Sequence, residues 1–162
     1  MCETNQTVVM ALDDRCLMTS RTGRDLQRYD GCTRLVICAV PMSSDGSRVL
    51  LISSSKHENQ WILPKGGWEA DEEAEDCARR ELAEEAGVRG EVVAKLGAFD
   101  YTTRKGKSCR LLGYTMRITR EFDEWSESAT RRREWVEVAT AKRRVAERPE
   151  LLAMLERAMH AR

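Results

Sequence analysis

Glu81, Glu84 and Glu85 stand three and four positions apart within GGWEADEEAEDCARRELAEEAGV, the segment from residue 66 to residue 88. On a helix this spacing makes the three side chains neighbours. Such a cluster is unfavourable alone, because like charges four residues apart cost roughly 0.2–0.5 kcal/mol per pair. A solvated acidic face is the ordinary explanation, and the periodicity argues against it. At about 100° per residue, Ala74, Cys77, Ala78, Leu82 and Ala86 share one arc, and Glu81 and Glu85 fall inside it. Inward carboxylates are costly unless paired or metal-bound. Several Glu oxygens with no softer ligand suit Mg2+, which keeps some waters and shares its shell with substrate phosphates. Arg80 lies beside them, placed to orient Glu84 or a neighbouring loop. Upstream, Lys65-Gly66-Gly67 reads as a tight turn toward the helix, and its backbone amides and the Lys65 ammonium can hold phosphate.

The elements that position these groups follow from the hydrophobic pattern. Residues 61–63 read as a short buried strand that Pro64 stops. Residues 35–40 and 49–52 are continuous apolar runs of strand length, separated by the turn signal Ser43-Ser44-Asp45-Gly46, and are expected to pair. Gly87 lies where a left-handed helix cap belongs, with Gly90 the alternative end. Two strands follow, over 91–101 and 111–119, joined by a turn containing Gly106, and residues 134–138 alternate like a half-buried strand. Helices close the chain. The last starts near Pro149 and packs through Leu151, Leu155, Ala158 and Met159. Residues 1 to about 30 are polar and weakly periodic, which predicts an extension or arm. Interspersed strands and helices without a linker predict one α/β domain, a mixed sheet with helices on both faces.

At 162 residues the chain can bury about two thirds of its unfolded surface in one core. Its 41% hydrophobic and 33% charged residues fit a soluble globular protein. No apolar run approaches the ~20 residues that cross a bilayer, and the N-terminus lacks a secretory pattern, so no membrane association is expected and the expected location is the cytoplasm, with the nucleus as a second site. The six cysteines, Cys2, Cys16, Cys32, Cys38, Cys77 and Cys109, include no Cys-x-x-Cys pair and read as reduced thiols. Lys plus Arg and Asp plus Glu balance at 27 each, so no global field draws the chain onto nucleic acid, and no stable nucleic-acid binding is expected. Locally, acid concentrates at 69–85 and base at 104–110, 131–133 and 142–148. An acidic metal site flanked by basic stretches suits a small polyanion. No feature specifies an oligomeric state.

Gly66, Glu72, Arg80, Glu81, Leu82, Glu84, Glu85, Gly87 and Val88 fill every fixed position of a known signature: Gly, five residues, Glu, seven residues, Arg-Glu-aliphatic-x-Glu-Glu-x-Gly-aliphatic. This resembles the Nudix hydrolases. The resemblance implies an α/β/α sandwich with a mixed central sheet over residues 20–162, behind an N-terminal extension at 1–19. It also implies hydrolysis of a diphosphate linked to a further group, with Mg2+ (Mn2+ as a substitute) and water. Such cleavage needs charge neutralised on the phosphate oxygens and a water of lowered pKa. By resemblance Glu81 and Glu85 are metal ligands, joined by Glu84 and Gly66, and Glu84 is the general base; the residues alone would let Glu84 and Glu85 exchange roles. His57 and His160 have no triad context.

The segments at 53–64, 124–128 and 131–135, with 21–29 and 65–69, look like the diphosphoinositol polyphosphate phosphohydrolase subfamily, fungal and plant members more than animal ones. Those enzymes act on diphosphoinositol polyphosphates and on diadenosine penta- and hexaphosphate. The resemblance implies phosphate contacts by Arg28, Arg34, Ser54, Ser55, Lys56, Lys65, Gly66, Gly67, Arg104, Arg131 and Arg148, with Arg28 and Arg131 foremost; an Arg fork can grip phosphate in two places. Lys65 stands where the animal pattern has Gly, and either tightens phosphate binding or shifts substrate preference. Two alternatives compete: a Nudix pyrophosphatase acting chiefly on dinucleoside polyphosphates, ADP-ribose or an mRNA cap, and a non-catalytic module binding inositol pyrophosphates or nucleotides. Retention of all three Glu argues against the second.

Overall fold

Strand β2 (Thr33–Met42) is the spine of the molecule. Its run from Val36 to Met42 is buried at every position, as a strand covered on both faces requires. The computed structural model describes residues 23–57 and 59–161, so the expected extension at 1–19 lies outside the described residues. Around β2 the chain lays down β1 (Tyr29–Asp30), β3 (Arg48–Ser53), β4 (Trp61–Ile62), β5 (Lys65–Gly67), β6 (Val88–Thr102), β7 (Ser108–Glu121) and β8 (Arg133–Glu137). Helix α1 (Ala74–Glu81) runs into a π-helical turn (Leu82–Ala86). Helices α2 (Val138–Arg144) and α3 (Pro149–His160) complete the described chain.

One mixed sheet holds the strands in the order β4-β3-β2-β7-β6. β2 runs parallel to β7 from Arg34↔Cys109 to Met42↔Arg117. It is also antiparallel to three short strands in succession: β1 at its start, β5 opposite Val36 to Cys38, and β3 at its end through Met42↔Val49. β8 pairs with β3, and β6 with β7.

The helices lie on opposite faces. On β7, Gly113 faces α3, where a Cβ would come 2.3 Å from the Met154 sulfur. The next residue, Tyr114, lies on the side of Glu75 and Cys77 of α1, and successive strand residues point to opposite faces. The sandwich expected from the sequence is thus the architecture found, an α/β fold with the core shared between Ile37, Leu50, Leu63, Leu82, Leu111 and Leu155.

Three local expectations need correction. Lys65-Gly66-Gly67 is not a tight turn but a strand paired with β2; its glycines serve close approach rather than reversal, since a Cβ on Gly66 would land 2.0 Å from Glu81 Oε1 and one on Gly67 1.9 Å from Gln27 Oε1. The acidic helix is α-helical only through Glu81. The fold also begins before residue 30: Arg28 N bonds to the Trp68 carbonyl at 2.8 Å and Gln27 bridges Glu69. Gly87, with φ +63°, ends the helical segment, and Gly90 lies within β6.

Candidate active site

The π-helical turn carries the site. A π-turn pairs residues five apart, is rare, and is found disproportionately at functional sites. Here Leu82, Ala83, Glu84, Glu85 and Ala86 are all buried, so the turn is covered on every side. The carbonyls at its end take their partners from one distant segment. Ser126 Oγ donates to Glu84 O and Trp125 Nε1 to Glu85 O, each at 3.0 Å. Arg133 Nη1 donates to Ala86 O at 2.8 Å and to Gly87 O at 3.1 Å. Trp125 also fills the space beside Gly87, where a Cβ would sit 2.5 Å from its ring, and Arg133 stacks on the other side of the pair, 4.2 Å from the Trp125 centroid. Residues 125–133 therefore form a collar around the turn.

Two buried arginines organise the carboxylates. Arg80 binds Glu72 through Nε and Nη2 at 2.9 and 2.7 Å, and its Nη1 reaches Glu81 at 3.0 Å and Glu84 at 3.3 Å. Its Nη2 also donates to the Gly67 carbonyl at 3.1 Å, fastening α1 to β5. Arg131 spends its guanidinium on Glu127 (2.9 Å), the Ser53 carbonyl (2.9 Å) and Glu85 Oε1 (3.3 Å). Glu85 Oε2 accepts the Lys65 backbone N–H at 3.1 Å. Glu81, Glu84 and Glu85 are only 5%, 4% and 8% exposed.

Among the described residues, two arginines are shared by six carboxylates. Arg80 serves Glu69, Glu72, Glu81 and Glu84, and Arg131 serves Glu85 and Glu127. Burial pushes the Glu85 carboxyl up to about 7 despite Arg131 and Lys65, and burial with Glu85 as neighbour raises Glu81 well above the carboxylate range. A site with this surplus of buried oxygens fits a hard divalent cation. With the side chains turned to their arginines, no three acidic, His or Cys groups among the described residues converge on one point.

The predicted phosphate contacts divide into groups. Arg28 donates to the carbonyls of Glu69, Ala70 and Glu72 and stacks 4.5 Å over Trp68, so it braces the loop before α1. Arg34, Lys65 and Arg148 converge on the α3 side of β5. Arg34 Nε holds Gln27 at 2.9 Å, and Arg148 Nε holds Glu150 at 2.6 Å. Burial lowers the Lys65 pKa, Glu85 opposes this, and Arg148 and Arg34 add to it. Gly66 and Gly67 lie in β5 between this cationic group and the carboxylates. Ser54, Ser55 and Lys56 follow β3 on a separate loop, where Ser54 Oγ accepts N–H bonds from Lys56 and His57 at 3.3 Å. Arg104 is exposed in the β6–β7 hairpin turn, away from any strand pairing. Sequence reasoning gave no role to Trp125, Ser126, Glu127 or Arg133. The available signals were Gly87, which leaves room for a partner it does not identify, and the subfamily resemblance of 124–128 and 131–135, which marks the segments without saying what they hold.

The comparisons agree with this geometry. The NUDIX domain description matches residues 33–155. The chain is 38% identical over 143 residues to Nudix hydrolase 17, mitochondrial, of Arabidopsis thaliana, covering 82% of this chain and 78% of that one. It is 38% identical over 114 residues to diphosphoinositol polyphosphate phosphohydrolase 2 of Mus musculus, covering 69% and 62%. Among solved structures, a NUDIX hydrolase from Nitrosomonas europaea superposes with a TM-score of 0.68 at 18% identity over 80% of this chain and 89% of that one. A C. elegans Ap4A hydrolase binary complex does so with 0.63 at 20% over 78% and 95%. With the family description spanning the sheet, the acidic turn and most of α3, this chain belongs to the Nudix hydrolase family.

Proposed function

We propose that this protein hydrolyses phosphoanhydride bonds in diphosphoinositol polyphosphates and in long dinucleoside polyphosphates, with Mg2+ as cofactor and Mn2+ as a substitute. The observation that carries this reading is the buried surplus of carboxylates on the π-turn, flanked across β5 by Arg34, Lys65 and Arg148. The name of the mouse relative supports the first of these substrate classes.

Glu81 and Glu85 are assigned to the metal, with Glu84 and the Gly66 carbonyl completing the protein's share. Bound there, a divalent cation would neutralise phosphate oxygens and lower the pKa of water. Glu85 is held at both oxygens, which suits a fixed ligand. Glu84 meets Arg80 at 3.3 Å while its backbone is fixed by Ser126, which suits the base that takes the proton from attacking water. Arg34, Lys65 and Arg148 hold the charge of the non-reacting phosphates.

The test is turnover with Mg2+ of a diphosphoinositol polyphosphate, diadenosine hexaphosphate and ADP-ribose, compared as kcat/KM. The first two are expected to lead. ADP-ribose ranking first by a wide margin overturns the assignment.

A further inference from the structure

Glu150 has no part in the chemistry above, yet it lies among the cations assigned to phosphate. Arg34, Cys109 and Tyr101 stand opposite one another across β2, β7 and β6. Gly113, four residues along β7 from Cys109, faces α3, so this row points to the same side. Lys65 joins that side, because it pairs with Cys38, four residues from Arg34 on β2. Glu150 enters from the first turn of α3. Only 5% exposed, it accepts a hydrogen bond from Arg148 Nε at 2.6 Å. Burial raises the Cys38 thiol to about 12, and Lys65, Glu85, Glu150 and Arg148 all act on it, so these charges share one neighbourhood. Burial, Cys109 and Glu150 together raise the Tyr101 hydroxyl, which puts Glu150 beside that partly covered ring as well.

A carboxylate there is at odds with a site for phosphate alone. Ionised, it accepts hydrogen bonds and donates none, and it repels a neighbouring phosphate. The bond from Nε is the one hydrogen bond of the Arg148 side chain among the described residues, so its Nη groups are left to meet an anion. Glu150 spends one oxygen on that bond. Among the described residues the only fully buried side-chain nitrogen or oxygen without a partner is Thr115 Oγ1; the second Glu150 oxygen, which makes no hydrogen bond, is therefore within reach of solvent. A ligand that suits both groups carries hydroxyls next to an anion. A nucleotide does so, and carboxylates bind ribose hydroxyls in dinucleotide sites. An inositol ring phosphorylated at every position offers no hydroxyl.

We propose that Glu150 is a specificity-determining residue: its second oxygen accepts the sugar hydroxyls of a nucleotide whose phosphate lies on Arg148, and its charge disfavours a ring phosphorylated at every position. The assignment rests on the polyphosphate reading above and ranks its two substrate classes, with dinucleoside polyphosphates ahead of fully phosphorylated diphosphoinositols.

Two measurements on the whole protein test it. The first is calorimetric binding of ADP and of 2′,3′-dideoxy-ADP, without metal, to wild type and to Glu150→Gln, a change that keeps the shape and an oxygen for Arg148 while removing the charge. Wild type is expected to bind ADP roughly tenfold tighter than the dideoxy form, and the variant to hold the two about equally. The second is kcat/KM with Mg2+ on diadenosine hexaphosphate and on a fully phosphorylated diphosphoinositol. Glu150→Gln should lower the first and raise the second, whereas a merely structural role lowers both alike. Equal or undetectable binding of the two nucleotides by wild type, or equal losses on the two substrates, overturns the assignment. The wild-type binding comparison needs no variant, so it decides the matter even where Glu150→Gln fails to fold. Absence of turnover by wild type overturns the proposed activity instead, and the nucleotide binding still decides the role of Glu150.

Discussion

Glu84 and Glu85 are adjacent in the chain and differ in what restrains them. Glu85 meets Arg131 at 3.3 Å and the Lys65 amide at 3.1 Å, and Glu84 meets the other arginine, Arg80, at 3.3 Å. Glu84→Gln is therefore expected to lower kcat about 10^2–10^4-fold, with a smaller loss of Mg2+ affinity than Glu85→Gln; a metal titration of each variant's kcat separates the two. Gly66→Ala is a complementary probe, because the added methyl would meet the Glu81 carboxylate at 2.0 Å. Displacing one ligand should weaken Mg2+ binding at least as much as disturbing its supporting shell does, about 10–100-fold. At this scale the sequence was informative where spacing is local. The inward turn of Glu81 and Glu85 followed from their phase with Cys77, Ala78 and Leu82, all fully buried. The protein partners of Arg28 and Arg131 were not legible, because several of them lie about 40 to 80 residues away in sequence.

The π-turn and its collar belong to the scale of elements. Leu82–Ala86 reads LAEEA, a run of good helix formers, so nothing within it announces a wider turn. The turn is selected by Trp125, Ser126 and Arg133, which supply donors to its carbonyls. The same logic hid β5, whose two glycines look like a turn until the carboxylate and amide that crowd them are placed. Trp125→Phe keeps the ring beside Gly87 and removes the Nε1 donor, leaving a buried carbonyl without its partner. A loss of about 1–3 kcal/mol is expected, read as a lower denaturant midpoint, and Mg2+ should restore part of it because the proposed metal ligands lie on the same turn.

For the molecule as a whole, the buried carboxylates make stability depend on pH and metal together. In the unfolded chain Glu81 and Glu85 titrate near 4.5; folded, burial raises both, Glu85 to about 7. The folded state holds the extra protons, so the Glu85 contribution is fully present below about 4.5 and is lost as pH rises through 7, and Glu81 acts in the same direction. Metal-free protein should therefore melt at a lower temperature at pH 8 than at about pH 5.5. Magnesium should reverse the difference: at a hundred times Kd it adds about 2.7 kcal/mol, or roughly 5–10 °C for a chain of this size, and more at pH 8 than at pH 6. A shift of equal size at both pH values would detach the metal from these carboxylates.

One strand ties these scales together. β2 is bonded to β7 along one edge and successively to β1, β5 and β3 along its length, so the segments bearing Arg28, Lys65 and Ser53 share a single ruler. Their mutual spacing cannot drift locally. In deuterium exchange the amides of residues 36–40, 42 and 65–67 should therefore report one common opening event, the slowest in the protein, while those of Arg104 and Lys105 at the exposed hairpin tip exchange within the dead time.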